Sequence, residues 1–425
     1  MGRPRIHIFG GGTVFHVRPH MALCAPAFGG AARFIEGELI RQGALVDGYL
    51  MNVHLTKMAE RQSTLETNED VGRLLSEVVA DPDTKIIFLS TAFCDYEGEI
   101  VQGNGVTTSM HGSPSGKDQP RLRTAEGPQM MRLEPAPKII STIRGVRKDI
   151  FLVGFKTTAG DTPEEQYLKG LNLLKKTSCN LVLANDVQTR LNMVITPEQA
   201  RYHETTDRKA ALQGLVEMTR LRSKLKFTRS TIIPGEPVKW GSDMVPESLR
   251  TVVDHCIARG AYKPFNGATV GHFAYKIDDT KFVTSRRKVD FNKLPEIGMV
   301  LVEAESRDSV VAHGFKPSVG GMSQRIIFSQ HPDVDCIVHA HVPLKPGAQI
   351  PVRSQREFEC GSHECGQNTS DGLQRFDDGI KAVMLDKHGP NIVFNRNTDP
   401  KKVIDFIERN FDLTGRTDEV QTATV

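Results

Sequence analysis

Four consecutive apolar residues, Ile86, Ile87, Phe88 and Leu89, follow a segment in which Val71, Leu74, Leu75, Val78 and Val79 recur at helical spacing. A strand that is apolar on both faces has to be covered on both faces, which is the pattern of a parallel sheet held between helices. The alternation runs through the first half of the chain, with strands predicted at 6–9, 44–51, 85–89, 151–154 and 180–184 and helices at 70–80 and 164–176. The predicted fold class is α/β, doubly wound. In such sheets ligands sit at the carboxyl ends of the strands beside glycine turns. Gly10, Gly11, Gly12 and Thr13 follow the first strand, without the spacing of the dinucleotide fingerprint.

The second half is constrained by histidines. In Val338-His339-Ala340-His341 the period-two alternation of a strand projects both imidazoles from one face, and a third arrives in Asp386-Lys387-His388-Gly389. Three neutral imidazoles suit one divalent ion. Zinc catalysis uses three protein ligands and an open fourth position that polarises a substrate oxygen, although manganese or iron also accepts such a set. Histidines that merely pack in a strand are the alternative reading of the same spacing. Upstream, Leu249, Val252, Val253, Cys256 and Ile257 mark an amphipathic helix that stops at Gly260.

The length of 425 residues predicts two to three domains, and 39% hydrophobic with 25% charged residues is ordinary for globular chains. A formal charge of +3, with no basic stripe interleaved with aromatics, excludes nucleic acid as a partner. Seven dispersed cysteines predict a reducing, cytoplasmic setting, and neither a signal peptide nor a membrane span is predicted. Leu212, Leu215 and Val216 belong to a helix that closes the first domain, set at residues 1–228. Pro234, Gly235, Pro237, Gly241 and Pro246 make 229–246 a connector, with Trp240 expected in a domain interface, before a second domain at 247–425. Residues 99–129 read as a lid or an insertion, and 414–425 as a polar tail.

From about Val245 onward the chain resembles the class II aldolase/adducin family, which makes or breaks carbon-carbon bonds in small sugar phosphates over zinc. The resemblance rests on Gly271-His272-Phe273-Ala274-Tyr275-Lys276, Lys281-Phe282-Val283-Thr284-Ser285, Lys316-Pro317-Ser318, Gln330-His331-Pro332-Asp333-Val334, the paired histidines and His388-Gly389. It implies an α/β/α domain with His339, His341 and His388 as metal ligands and with Ser318, Lys316 and His272 on the substrate side. The chain departs from the family at three places. Ser318-Val319-Gly320 lacks the family's glutamate acid/base, His272 replaces an asparagine of a phosphate turn, and Ser285-Arg286-Arg287 replaces a glycine turn. Arg286 and Arg287 would bring forked cationic donors to an anionic substrate. A replacement acid/base is expected in 357–366, with Glu364 first and His363 second; Cys360, His363 and Cys365 as soft metal ligands form an alternative.

The first half resembles the phosphopantothenoylcysteine synthetase domain of coenzyme A biosynthesis, through the 10–13 glycines with Val17-Arg18, Ser90-Thr91-Ala92-Phe93-Cys94-Asp95-Tyr96, Val153-Gly154-Phe155 and Leu183-Ala184-Asn185-Asp186-Val187. That family activates a carboxylate with a nucleoside triphosphate and couples it to an amine. The resemblance implies a Rossmann-like domain in which Gly11, Gly12, Thr13, Asp95, Pro137, Lys138, Phe155 and Asn185 line a pocket for CTP, ATP or another nucleotide. The family's coupling asparagine has no counterpart here, and its lysine-rich flap is reduced to Lys117, Arg121 and Arg123. The expected function is a metal-dependent aldolase-type lyase acting on a phosphorylated or nucleotide-linked small molecule, with a nucleotide-binding N-terminal domain, in a homo-oligomer (dimer or tetramer). A carboxylate-amine ligase and a non-catalytic adducin-like assembly protein are the alternatives.

Overall fold

The structure is a computed structural model that describes residues 2–101, 116–306, 308–318 and 321–417. Val319 and Gly320, part of the 99–129 segment and the end of the tail lie outside the described residues. Two compact units divide the chain: Met1–Ile195 with His203–Ser223, and Thr196–Tyr202 with Lys224–Val425.

Unit one is α/β. Within its sheet the strands Asn192–Ile195, Leu181–Asp186, Phe151–Thr158, Thr84–Leu89, Arg5–Gly10 and Leu50–Leu55 lie side by side in that order. All neighbours are parallel except the first pair. The predicted apolar run is buried throughout Ile86–Leu89. The helix Asn68–Ala80 starts at a capping box, Thr67 with Asp70, and buries Val71, Leu75, Val78 and Val79. Pro163–Thr177 starts the same way from Thr162 and Glu165, with Pro163 in the first turn where its missing N–H costs nothing. The strand predicted at 44–51 instead begins at Leu50. The Gly43, Ala44 and Tyr49 amides close turns onto the Ile40, Leu39 and Ala44 carbonyls, which removes them from any ladder.

Unit two is a mixed, mostly antiparallel sheet. The order is Arg229–Ile233, Ser309–His313, Val300–Ala304, Lys281–Thr284, His272–Lys276, Cys336–His339, Gly389–Phe394, Lys381–Leu385, Val352–Arg353. Part of the expected connector is thus a strand: Arg229–Ile233 pairs in parallel with Ser309–His313. Side-chain alternation sorts the sheet into two cores. Phe273, Tyr275, Cys336, Val338, Ile392 and Phe394 face one, under the helices Glu247–Ala258 and Pro400–Asn410, while Ala274, Ile337 and Val393 face the other, with Ile327 and Phe328 of the helix Met322–Gln330.

Trp240 is buried in the first of these cores, with its indole N–H on Asp254 at 2.9 Å and its ring edge-on to Phe273 at 5.6 Å. It is a core residue of unit two rather than an interface residue of a linker. As the single tryptophan it reports on that unit alone. Phe273→Ala removes a fully buried ring packed against Trp240, Tyr262 and Phe291. A loss of roughly 3–5 kcal/mol is expected, read as a lower urea midpoint of tryptophan fluorescence; an unchanged midpoint contradicts this packing.

Candidate metal centre

Three backbone approaches place the histidines. His339 ends the strand Cys336–His339, and its neighbours in register are His272 on one side and Asn391 on the other. His341 lies two residues on, just beyond the strand, still on the same face. His388 closes the turn between Lys381–Leu385 and Gly389–Phe394, with its amide on the Leu385 carbonyl. Two glycines admit these segments to one another. A Cβ on Gly389, at φ 142°, would stand 2.0 Å from the Ala340 carbonyl oxygen, and one on Gly271, at φ 104°, would stand 2.6 Å from that of His339.

The nitrogen donors of His339, His341 and His388 lie within 4.8 Å of one another, and no other such group of His, Cys, Asp or Glu occurs among the described residues. The ring centroids are 5.1 Å apart for His339 and His341, 4.6 Å for His339 and His388, and 4.7 Å for His341 and His388. His339 Nδ1 donates to the Pro390 carbonyl at 2.8 Å, which leaves the Nε2 lone pair for a ligand. His339 Nε2 and His388 Nε2 are 3.2 Å apart. Two nitrogens bound to one tetrahedral zinc at about 2.0–2.1 Å stand roughly 3.3 Å apart, so the observed spacing fits a shared ion. Burial pushes the His339 imidazole down to about 4, which keeps it in the neutral form that ligation needs.

A cavity of about 20 Å³ opens beside the histidines, lined by His272, Gln324, His339, His388 and Asn391, with Cys360 and Cys365 also in its wall. Sequence reasoning did not single out Gln324, which lies on the helix Met322–Gln330 in a segment without motif. Its amide nitrogen is 3.1 Å from His272 Nδ1 and 3.1 Å from Thr284 Oγ1. Burial, with His339 alongside, holds the His272 imidazole well below its ordinary range.

The other expected site residues fall as follows. Glu364 and His363 do not line the cavity. They occupy the first turn of His363–Gly372, where Glu364 accepts from the Lys226 amide at 3.0 Å and His363 Nε2 is 3.1 Å from Thr228 Oγ1. The helix phase instead turns Cys365 and Gly366 inward. Ser318 meets Ser285, hydroxyl to hydroxyl at 2.6 Å, beside the strand that carries His272. Arg286 is already engaged: its guanidinium lies 3.5 Å over the Phe315 ring and donates to the Ile297 carbonyl. Arg287 and Lys316 are exposed, joined backbone to backbone. Cys360, His363 and Cys365 form no metal group among the described residues.

In unit one the glycine turn is closed by the protein itself. The Gly12 amide donates to Ala27, and the Thr13 amide to Ala92; the buried Thr13 hydroxyl donates to Asn68 and accepts from the Cys94 amide. These donors are spent, so the expectation that Gly12 and Thr13 hold a phosphate meets a satisfied backbone; at Gly11 a side chain would meet Thr56 Oγ1 at 2.2 Å. Asp95 and Lys138 form an exposed ion pair at 2.5 Å, after Pro137 and before the turn Ile139–Thr142. Asn185 is buried beside Thr157 at the carboxyl end of its strand, two strands from Leu89, and Phe155 is half-buried in the strand between them.

The family model for the class II aldolase and adducin N-terminal domain matches residues 254–344, which include His339 and His341. The coenzyme A biosynthesis bifunctional protein CoaBC of Thermococcus kodakarensis is 22% identical over 184 residues, 43% of this chain and 41% of that protein, so the chain spans about two-fifths of the curated relative it matches. A DNA/pantothenate metabolism flavoprotein from Streptococcus pneumoniae superposes with a TM-score of 0.41 at 20% identity, covering 52% of this chain and 99% of that one. An L-fuculose 1-phosphate aldolase superposes with a TM-score of 0.29 at 17% identity, over 40% and 85%. The chain therefore joins a part similar to phosphopantothenoylcysteine synthetase to a class II aldolase-like part.

Gly389→Ala tests the close approach at the centre. The added methyl would collide with the Ala340 carbonyl and drive the His388 turn from the paired histidines. A loss of about 2 kcal/mol in unit two and at least roughly tenfold weaker zinc binding are expected. Zinc affinity unchanged by calorimetry contradicts the placement.

Proposed function

We propose that unit two is a metal-dependent lyase of aldolase type, acting on a small hydroxycarbonyl compound that is phosphorylated or nucleotide-linked. The observation that supports it is the triad itself: three imidazoles with nitrogens within 4.8 Å, one of them oriented by a backbone carbonyl so that its lone pair faces the other two. In this reading His339, His341 and His388 hold a divalent ion, zinc by preference. When bound, such an ion polarises a carbonyl and stabilises the negative charge that develops on its oxygen as the neighbouring carbon-carbon bond breaks or forms.

The chain's own groups then orient the substrate. Ser318 and Ser285 offer hydroxyls beside the His272 strand, and Arg287 and Lys316 offer exposed charge at the same edge. Glu364 and His363, bound to the 226–228 segment, are given no proton-transfer role. In unit one the nucleotide reading shifts to Asp95, Lys138, Phe155 and Asn185, since the Gly12 and Thr13 donors are already satisfied. Among the described residues no helix is long and apolar enough to cross a membrane.

Two measurements test the proposal. Plasma mass spectrometry on tag-free protein should find about one divalent ion per chain, lost in His339→Ala and His388→Ala; a metal-free wild type after purification with added zinc removes the aldolase reading. Calorimetry should show CTP or ATP binding to wild type weakened about tenfold in Asn185→Ala, and no heat with either nucleotide removes the nucleotide reading.

A further inference from the structure

The sheet of unit one ends on an unpaired strand. Leu50–Leu55 is its last member among the described residues, and it pairs with Arg5–Gly10 alone, in an unbroken parallel register. The Leu50 amide donates to the Pro4 carbonyl and the Thr56 amide to that of Gly10, so by alternation the even-numbered residues face the sheet. The amides and carbonyls of Met51 and Val53 therefore point outward, where no partner meets them among the described residues. Natural edges are usually blunted by lysine, proline or a bulge. The six residues Leu-Met-Asn-Val-His-Leu include neither lysine nor proline, and their register has no bulge.

A cleft of about 990 Å³ runs along this edge. Three consecutive strand residues, Val53, His54 and Leu55, line it together with both flanking helices, Gly30–Arg41 and Asn68–Ala80. Leu55 lies on the first helix's side, since a Cβ on Gly29 would stand 3.1 Å from its Cδ2. His54 lies on the other side, with its Nε2 3.0 Å from His7 Nδ1, and His7 Nε2 is in turn 3.4 Å from the Thr84 hydroxyl that donates to Val78. All six strand residues are half-buried, so the edge is the floor of the cleft rather than its rim. Of the charges in the walls, Arg33 is paired with Glu60 at 3.3 Å and Arg73 with Asp70 at 2.7 Å. Glu36 on one helix and Glu77 on the other have no ion-pair partner among the described residues. Burial holds both imidazoles below their ordinary range, so they add no positive charge.

We infer that this edge receives a short extended segment of another polypeptide, which pairs with Met51 and Val53 and carries basic side chains at adjacent positions. The backbone groups supply the affinity of such strand addition, and side-chain pockets supply the choice. Successive side chains of an added strand point to opposite faces of the sheet, so one basic residue meets the Glu36 wall and the next meets the Glu77 wall. A second copy of this chain does not fit the same edge. Its own Leu50–Leu55 lies on the floor of an equal cleft, so the two strands cannot approach, and their union would bring like-charged walls together. The inference is independent of the aldolase and nucleotide readings.

The probe is a short, capped peptide of valine and threonine with two adjacent lysines, and its control carries glutamates in their place. Fluorescence anisotropy with the full-length chain should show the lysine peptide bound about tenfold more tightly than the control. Hydrogen exchange should slow at Met51 and Val53 when it binds. Val53→Pro removes an outward N–H and leaves the ladder to Arg5–Gly10 intact, so the variant should keep its far-ultraviolet circular dichroism and bind the peptide about tenfold more weakly. Glu36→Gln combined with Glu77→Gln should keep the strand pairing but cut the preference for lysine to about threefold or less. Binding of neither peptide, equal binding of both, or protection only away from Leu50–Leu55 overturns the inference. So does an affinity unchanged in Val53→Pro or, should that variant not fold, a lysine preference unchanged in the double variant. A dimer in sedimentation that Val53→Pro converts to monomer gives the edge to a second copy and overturns it as well.

Discussion

The centre depends on backbone crowding at the end of one short strand. Cys336–His339 is flanked in register by His272 and Asn391, and the chain just past it, Ala340 to His341, is touched by the His388 turn. Histidines brought this close have to come from segments whose backbones nearly touch, because an imidazole reaches only a few ångströms from its Cα. Gly271 and Gly389 permit that contact at positions where any side chain would occupy the space of a carbonyl. The Pro390 carbonyl then serves twice, following the glycine that makes the approach possible and orienting His339. Local backbone geometry and ligand orientation are one constraint here.

Unit one solves a different accounting problem with the same means. In the turn after its first strand, two amides and one hydroxyl make four hydrogen bonds, with Ala27, Ala92, Asn68 and Cys94. Asp186, at the end of Leu181–Asp186, accepts from the Gly160, Asp161, Gln188 and Thr189 amides and from the Thr158 hydroxyl, which holds its carboxyl far below the usual carboxylate range. Its charge therefore organises two loops and is not spare for a ligand. A motif can survive in sequence while its donors are redirected inward.

Which features were legible in the sequence follows from the range of the forces behind them. The helices at 68–80 and 163–177 were legible because capping and apolar period are local, and the buried strand at 84–89 because its four apolar residues admit only a covered position. The triad was legible in part: His-x-His encodes a shared face and His388 was visible as a third imidazole, but no local pattern fixes its approach to the other two. What local pattern does not encode is phase and pairing across distance. Glu364 was expected at the site, but one residue of helix phase sends it to the Lys226 amide and sends Cys365 inward. The prolines and glycines around 229–246 read as a connector, yet Arg229–Ile233 becomes the edge strand of the sheet by pairing with Ser309–His313, 80 residues away in sequence. Gln324 had no signal at all, because its role is set by Thr284 and His272, which only the fold brings to it.

The charge balance of the cavity gives the proposed chemistry its direction. The groups that line it are imidazoles, amides, hydroxyls, thiols and apolar side chains, with no carboxylate among them. A divalent ion held there by neutral imidazoles keeps its full charge in a poorly solvated place, where unpaired charge is costly. That cost would fall beside a developing negative charge, so under the proposed reading the same lining would favour charge development over a neutral ground state. Catalysis needs such a difference between ground and transition state rather than tight binding of both. A carboxylate in the wall would cancel part of the charge before the reaction began. Under the proposed lyase reading, a lining without carboxylates would leave the charge of such an ion undiminished, and a proton would have to move through a group outside this lining.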